Sequence, residues 1–250
     1  MSTPFKFYLT HMNSKAGYRA SWDPGKPLKI GFVGRLDKSG VFSIFTSLEK
    51  ESIPVETQVD DTTTDMDYTS NESVSITAKL SGTIPAAGSA LTNADAGFTF
   101  EFKSEASVVF QSQGNQTNQL TNLAEIKKLI LAKYRDGNWD KDWLVVTELV
   151  KAKAATIIIS NSTNGTLELK ANANVGTTNL KLTDLSLGLS VAKERGSTLK
   201  YIAQEGLTPL YRVMGIKKPL FSQTDIVIKG TEEIEDSDFE IQEFDERELE

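Results

Sequence analysis

The chain has 250 residues, a formal net charge of −7 and no cysteine. That length suits one large domain or two small ones and buries a core without covalent help. The missing cysteine excludes disulfides, thiol catalysis, thiolate metal sites and cysteine lipidation together. Residues 1–15 hold no apolar run of signal-peptide length, and no stretch of about 18 apolar residues exists for a transmembrane helix. The expected compartment is the cytoplasm.

At the N-terminus, Thr3 and Pro4 are a cap and a first helical residue. Phe5, Tyr8, Leu9 and Met12 then share a helical face, and Gly17 stops the helix. Lys6 and Lys15 on it, and Arg19 after it, make this end basic. Residues 28–36, 41–46 and 53–59 read as short strands. The acidic run holding Asp60, Asp61, Asp65 and Asp67 lacks the glycine and closing glutamate of a calcium loop, and reads as a solvated loop.

Residues 73–110 carry a first amphipathic pair. Val74, Ile76, Ala78 and Leu80 alternate with Ser75, Thr77 and Lys79; Phe98, Phe100, Phe102, Ala106, Val108 and Phe110 alternate with Thr99, Glu101, Lys103, Glu105 and Ser107. A period of two marks a strand with one apolar face. A small-residue segment lies between the arms, long for a hairpin loop. A helix follows over 122–135, where Asn122 and Glu125 have the spacing of a capping box and Leu123, Ile126, Leu129, Ile130 and Tyr134 line one face.

Residues 143–175 are the strongest feature. Residues 144–160 are rich in Val, Ile and Thr. Leu167, Leu169, Ala171, Ala173 and Val175 then alternate with Thr166, Glu168, Lys170, Asn172 and Asn174, and Asn164-Gly165 is a turn dipeptide. The expectation is one long hairpin. A second hairpin is expected between 185–192 and 198–204, and a last strand over 210–216. Strands interrupted by helices predict an α+β fold: a twisted, mainly antiparallel sheet with long amphipathic hairpins and short peripheral helices.

Residues 225–250 hold 12 acidic and 2 basic groups, a net −10, while the other 224 hold 25 basic and 22 acidic groups, a net +3. Like-charge blocks are usually solvated. Ile226, Ile228, Ile234, Phe239, Ile241 and Phe244 favour instead a detachable segment that docks and masks. His11 is the only histidine, and no nucleophile elbow, zinc-protease or phosphate-loop motif occurs. Lys and Arg are dispersed, without the aromatic-basic pattern of nucleic-acid binding. The expectation is no enzyme, no catalytic or metal residue, no cofactor and no nucleic-acid partner.

In this order, a basic N-terminal helix, two amphipathic strand pairs and an acidic tail resemble the pore-forming domain of the gasdermins, most of all the compact bacterial members. The features that match are Gly17-Tyr18-Arg19 after the first helix, the segment Ala86-Ala87-Gly88-Ser89-Ala90 between the first arms, the helix at 122–135, the run from Val145 to Ile159 and the closing run from Ser197 to Lys217. The resemblance covers roughly residues 3–217. It implies a pore-forming domain over 1–220 and an autoinhibitory tail over 221–250. It also implies a chain that is cytoplasmic when latent and moves to the membrane when a protease removes the tail. The freed domain then forms a homo-oligomeric β-barrel pore and causes cell death, a role that in bacteria serves antiphage defence.

On that reading Lys6, Lys15 and Arg19 meet lipid. Val74, Ile76, Ala78, Leu80, Phe98, Phe100, Phe102, Val108, Leu167, Leu169, Ala171 and Val175 enter the membrane. Ile226, Ile228, Phe239, Ile241 and Phe244 hold the tail down. Bacterial members often carry a lipidated N-terminal cysteine, which this chain does not have. The alternative readings are a soluble scaffold or binding protein of the same fold, and a phage or assembly structural protein.

Overall fold

A computed structural model describes residues 4–21, 28–37, 40–70, 74–78, 98–104, 107–160, 165–171, 189–195, 198–216 and 239–241. The fold is α+β. Every strand pairing whose register is described is antiparallel. The chain divides into two compact units, 1–27, 60–116 and 150–210 against 28–59, 117–149 and 211–250.

The second unit is built on β2 (Phe32–Leu36), β3 (Phe42–Ser47), β4 (Thr57–Val59) and helix α2 (Leu123–Arg135). It also contains the start of β9 (Leu144–Ser160), the end of β12 (Thr198–Ile216) and the short β13 (Phe239–Ile241). β2 lies between β3 and β9. α2 forms because Ile126 and Ile130 recur at helical spacing and, with Leu131, leave water completely. They pack with Val33, Leu48, Ile53, Trp139 and Val145 in one cluster. Each such side chain contributes roughly 1.5–3 kcal/mol by leaving water.

The capping box does not form. Asn122 makes no side-chain bond to the helix backbone. Its Oδ1 instead accepts the Glu56 N–H at 3.1 Å, and its Nδ2 donates to the Pro54 carbonyl at 3.1 Å and to Glu125 Oε2 at 3.3 Å. The segment before β4 out-competes the helix end for this side chain. In the β2–β3 pair a register shift leaves Phe45 as the extra residue on β3, which accounts for adjacent exposed Ile44 and Phe45. Gly34 sits beside it, and a Cβ there would stand 1.9 Å from the Ser43 carbonyl oxygen. Glycine is the residue that allows so close an approach.

The first unit opens with α1 (Pro4–Ala16), which buries Tyr8, Leu9 and Met12 as its periodicity predicts. Burial pushes the Tyr8 hydroxyl well above the ordinary tyrosine value. The Gly17 N–H ends the helix on the Asn13 carbonyl at 2.9 Å. His11 Nε2–H donates to the Tyr68 carbonyl at 2.9 Å, a packing role. β1 (Arg19–Ala20) pairs with β12.

Half of the acidic run is strand: Asp60 and Asp61 lie in exposed residues outside any strand, as expected, whereas Asp65 and Asp67 do not lie in a loop. β5 (Thr64–Asp67) pairs with β8 (Ser107–Leu120), and Gln113 and Gly114 bulge out opposite Asp65. Gly114 has φ +59, and its N–H donates to Asp65 Oδ1 at 2.9 Å. Asp67 accepts from Gln111 Nε2 at 3.0 Å and from the Thr69 hydroxyl at 2.8 Å. Two of the four carboxylates thus fasten the strand that sequence periodicity does not mark.

Candidate membrane-inserting sheet

Four strands of the first unit form a separate sheet: β6 (Val74–Ala78), β7 (Phe98–Phe102), β10 (Gly165–Ala171) and β11 (Leu189–Arg195), in the order β11-β10-β7-β6. The expected pairing of 144–160 with the following arm does not occur among the described residues. β9 pairs with β2, β8 and β12, whereas β10 pairs with β7 and β11. Likewise β11 joins β10, while β12 lies in the larger sheet and runs on to include the strand expected separately over 210–216. The two amphipathic regions therefore share one sheet.

Register makes this sheet two-faced. Ser75, Glu101, Thr166 and Arg195 form one row across the four strands. Ile76, Phe100, Leu167 and Glu194 form the next. Thr77, Thr99, Glu168 and Lys193 follow, then Ala78, Phe98, Leu169 and Val191. Lys170 with Ser190 and Ala171 with Leu189 continue the alternation on two strands. A one-residue slip at any pair would exchange its faces. Where side chains are described the difference is sharp: Val74, Phe100 and Phe102 are 6%, 0% and 2% exposed, while Glu101 and Lys103 face solvent.

A bulge sets the phase of β11. Glu168 stands opposite Lys193 but Leu169 stands opposite Val191, so Ala192 is the extra residue. Without it Lys193 and Arg195 would fall in apolar rows with Leu189 and Val191. With it they fall in polar rows, and Glu194 takes the apolar position beside Leu167. No sequence signal marks a bulge at alanine, so sequence periodicity alone misplaces Lys193, Glu194 and Arg195.

The expected inserting residues divide. Val74, Ile76, Ala78, Phe98, Phe100, Phe102, Leu167, Leu169 and Ala171 lie in the apolar rows or in the adjoining row of Val74, Phe102 and Gly165. Val108 does not: it is buried on β8, which pairs with β4, β5 and β9. The arm expected over 98–110 is two strands, because β7 stops at Phe102 and β8 starts at Ser107 in the other sheet. Leu80 and Val175 lie outside the described residues.

Of the expected lipid-facing cations, Lys15 is exposed and Lys6 half-buried on α1. Arg19, on β1, is buried, 7% exposed. Of the expected tail contacts, Phe239 and Ile241 form β13, opposite Ile216 and Met214 of β12. Ile226, Ile228 and Phe244 lie outside the described residues. Among the described residues no three metal-ligating side chains stand together, and no helix is long and apolar enough to cross a membrane.

No protein-family profile matches the chain, and no curated protein matches it. Two solved structures are similar to it over most of its length. The gasdermin A3 membrane pore is 16% identical over 87% of this chain and 91% of that one, with a TM-score of 0.39. A bacterial gasdermin from Bradyrhizobium tropiciagri is 9% identical over 86% of this chain and 87% of that one, with a TM-score of 0.35.

Proposed function

We propose that the chain is a latent pore-former whose four-stranded sheet enters the membrane once residues 221–250 are cut away. One observation carries this reading: the register of β6, β7, β10 and β11 brings both amphipathic regions into a single sheet with one apolar and one polar face. That is the pattern of a membrane barrel wall, apolar toward lipid and polar toward a water-filled lumen. Open sheet edges are not tolerated in lipid, so β6 and β11 must be paired by neighbouring copies in a closed ring. The strands have 5, 5, 7 and 7 residues, fewer than the roughly 9–11 a tilted membrane strand needs. Insertion on this reading requires the four strands to lengthen beyond their described ends.

The tail supplies restraint and charge. Its strand β13 adds to β12, and removing 225–250 changes the formal charge from −7 to +3. Repulsion from anionic lipid becomes attraction, on the order of 1 kcal/mol per basic residue held at such a surface. The test is a protease site inserted within 221–233, with dye release measured from anionic and neutral liposomes before and after cutting. Release only after cutting, stronger on anionic lipid and weakened by salt, is expected. A cut protein that stays monomeric and inert on every membrane overturns the proposal. The result then favours the second reading, a soluble non-enzymatic scaffold, which the complete burial of Phe100 and near-complete burial of Phe102 support.

A further inference from the structure

We propose that the conducting path favours anions and that Lys170 sets this preference; the inference rests on the pore-forming reading above. The observation is the distribution of charge over the polar rows. In the first row Glu101 and Arg195 stand on either side of Thr166. In the second, Glu168 and Lys193 are direct cross-strand partners. Opposite charges so placed cancel at distances beyond the pair. In the third row Lys170 stands opposite Ser190, the neutral partner that β11 supplies among the described residues. The described rows thus place three basic residues (Lys170, Lys193, Arg195) and two acidic ones (Glu101, Glu168) at polar register positions, an excess of one basic residue among the described residues.

Glu194 does not alter this sum, because the bulge at Ala192 puts it in an apolar row. Lys103, next after β7 and exposed, adds a further cation on the same alternation. Polar rows are about 7 Å apart along a strand, close to one Debye length at physiological salt. A balanced row therefore screens little of its neighbour, and a ring of copies repeats Lys170 once every four strands, about 19 Å apart, as a ring of separate cations. Rings of basic residues favour anions.

The chain's lack of cysteine makes a direct test available, since any introduced thiol is unique. Full-length chains with a protease site within 221–233 are cut on planar bilayers of one fixed lipid composition, and the reversal potential is read in a tenfold KCl gradient. The wild-type chain is expected to pass chloride over potassium. Lys170→Glu should lower that permeability ratio about twofold or more, and Glu168→Gln should raise it. Both shifts should shrink in molar salt, where the screening length falls to about 3 Å.

Placement is tested separately on open pores with a charged, membrane-impermeant thiol reagent. Lys170→Cys should react and change the current, and Leu169→Cys should not. Current whose ion preference is the same in wild type, Lys170→Glu and Glu168→Gln overturns the inference and leaves pore formation standing. So does labelling of Leu169→Cys with Lys170→Cys inert. Absence of current from the cut wild-type chain overturns both.

Discussion

Phe239 stands opposite Ile216 in antiparallel register, two residues from the pairing of Ile241 with Met214. The tail thus meets the body as an added strand, with main-chain hydrogen bonds to β12 and not by apolar side chains alone. Strand addition is a mode of recognition in which backbone bonds supply affinity and alternate side chains supply specificity.

A proline in the tail strand tests that attachment. Glu240→Pro removes an N–H and fits poorly within a ladder, with a cost of about 1–3 kcal/mol. Limited proteolysis should cut the tail of the variant several-fold faster than that of the wild type. Dye release from anionic liposomes should begin without any engineered cleavage. Equal proteolysis rates would show that β13 does not hold the tail.

Glu194 is the charged residue that register places in an apolar row among the described strands. On the proposed function, a charge in that position opposes insertion. Glu194→Leu, in a chain cut within 221–233, should release dye at lower protein concentration than wild type by a few-fold. The Lys193→Leu variant, altered in a polar row, should not. Thermal melts of the uncut variants establish that both fold.

Asn122 separates two accounts of the start of α2. If it were a capping residue, Asn122→Asp would be neutral or stabilising. Because its Oδ1 accepts from Glu56 while its Nδ2 donates to the Pro54 carbonyl and to Glu125 Oε2, the aspartate keeps the first bond, loses the other two and faces the Glu125 carboxylate. A loss of about 0.5–1.5 kcal/mol is expected for Asn122→Asp, and a larger loss for Asn122→Ala. Urea denaturation measures both.

Gly34→Ala tests a close backbone approach in the β2–β3 pair. The added methyl would stand 1.9 Å from the Ser43 carbonyl oxygen, which no rotamer can relieve because the clash is with backbone. The pair must part, and overpacking of this kind costs about 1–3 kcal/mol or more. A melting temperature within a degree of wild type would contradict the placement of β2 against β3.

Local periodicity determined much of this protein by itself. The spacing of Tyr8, Leu9 and Met12 and of Ile126 and Ile130 fixes which faces of α1 and α2 are buried. The alternation of Val74, Ile76 and Ala78, of Phe98, Phe100 and Phe102, and of Leu167, Leu169 and Ala171 fixes the faces of β6, β7 and β10, because a strand's side-chain period is two whatever its neighbour. The uneven charge of the tail is also a property of the sequence alone.

Partners were decided by the tertiary structure. Every strand edge offers the same donors and acceptors, so alternation does not say that β10 pairs with β7 and β11 while β9 pairs with β2, β8 and β12. Bulges are equally silent in the sequence. The extra residue at Ala192 exchanges the faces of Lys193, Glu194 and Arg195, and the one opposite Asp65 turns half of an acidic run into a fastened strand. Asn122 was redirected by neighbours distant in sequence, onto the segment before β4, and the burial of Arg19 is not marked by local periodicity either. Such contacts depend on where the chain returns, and that is settled when non-local backbone and core contacts form together.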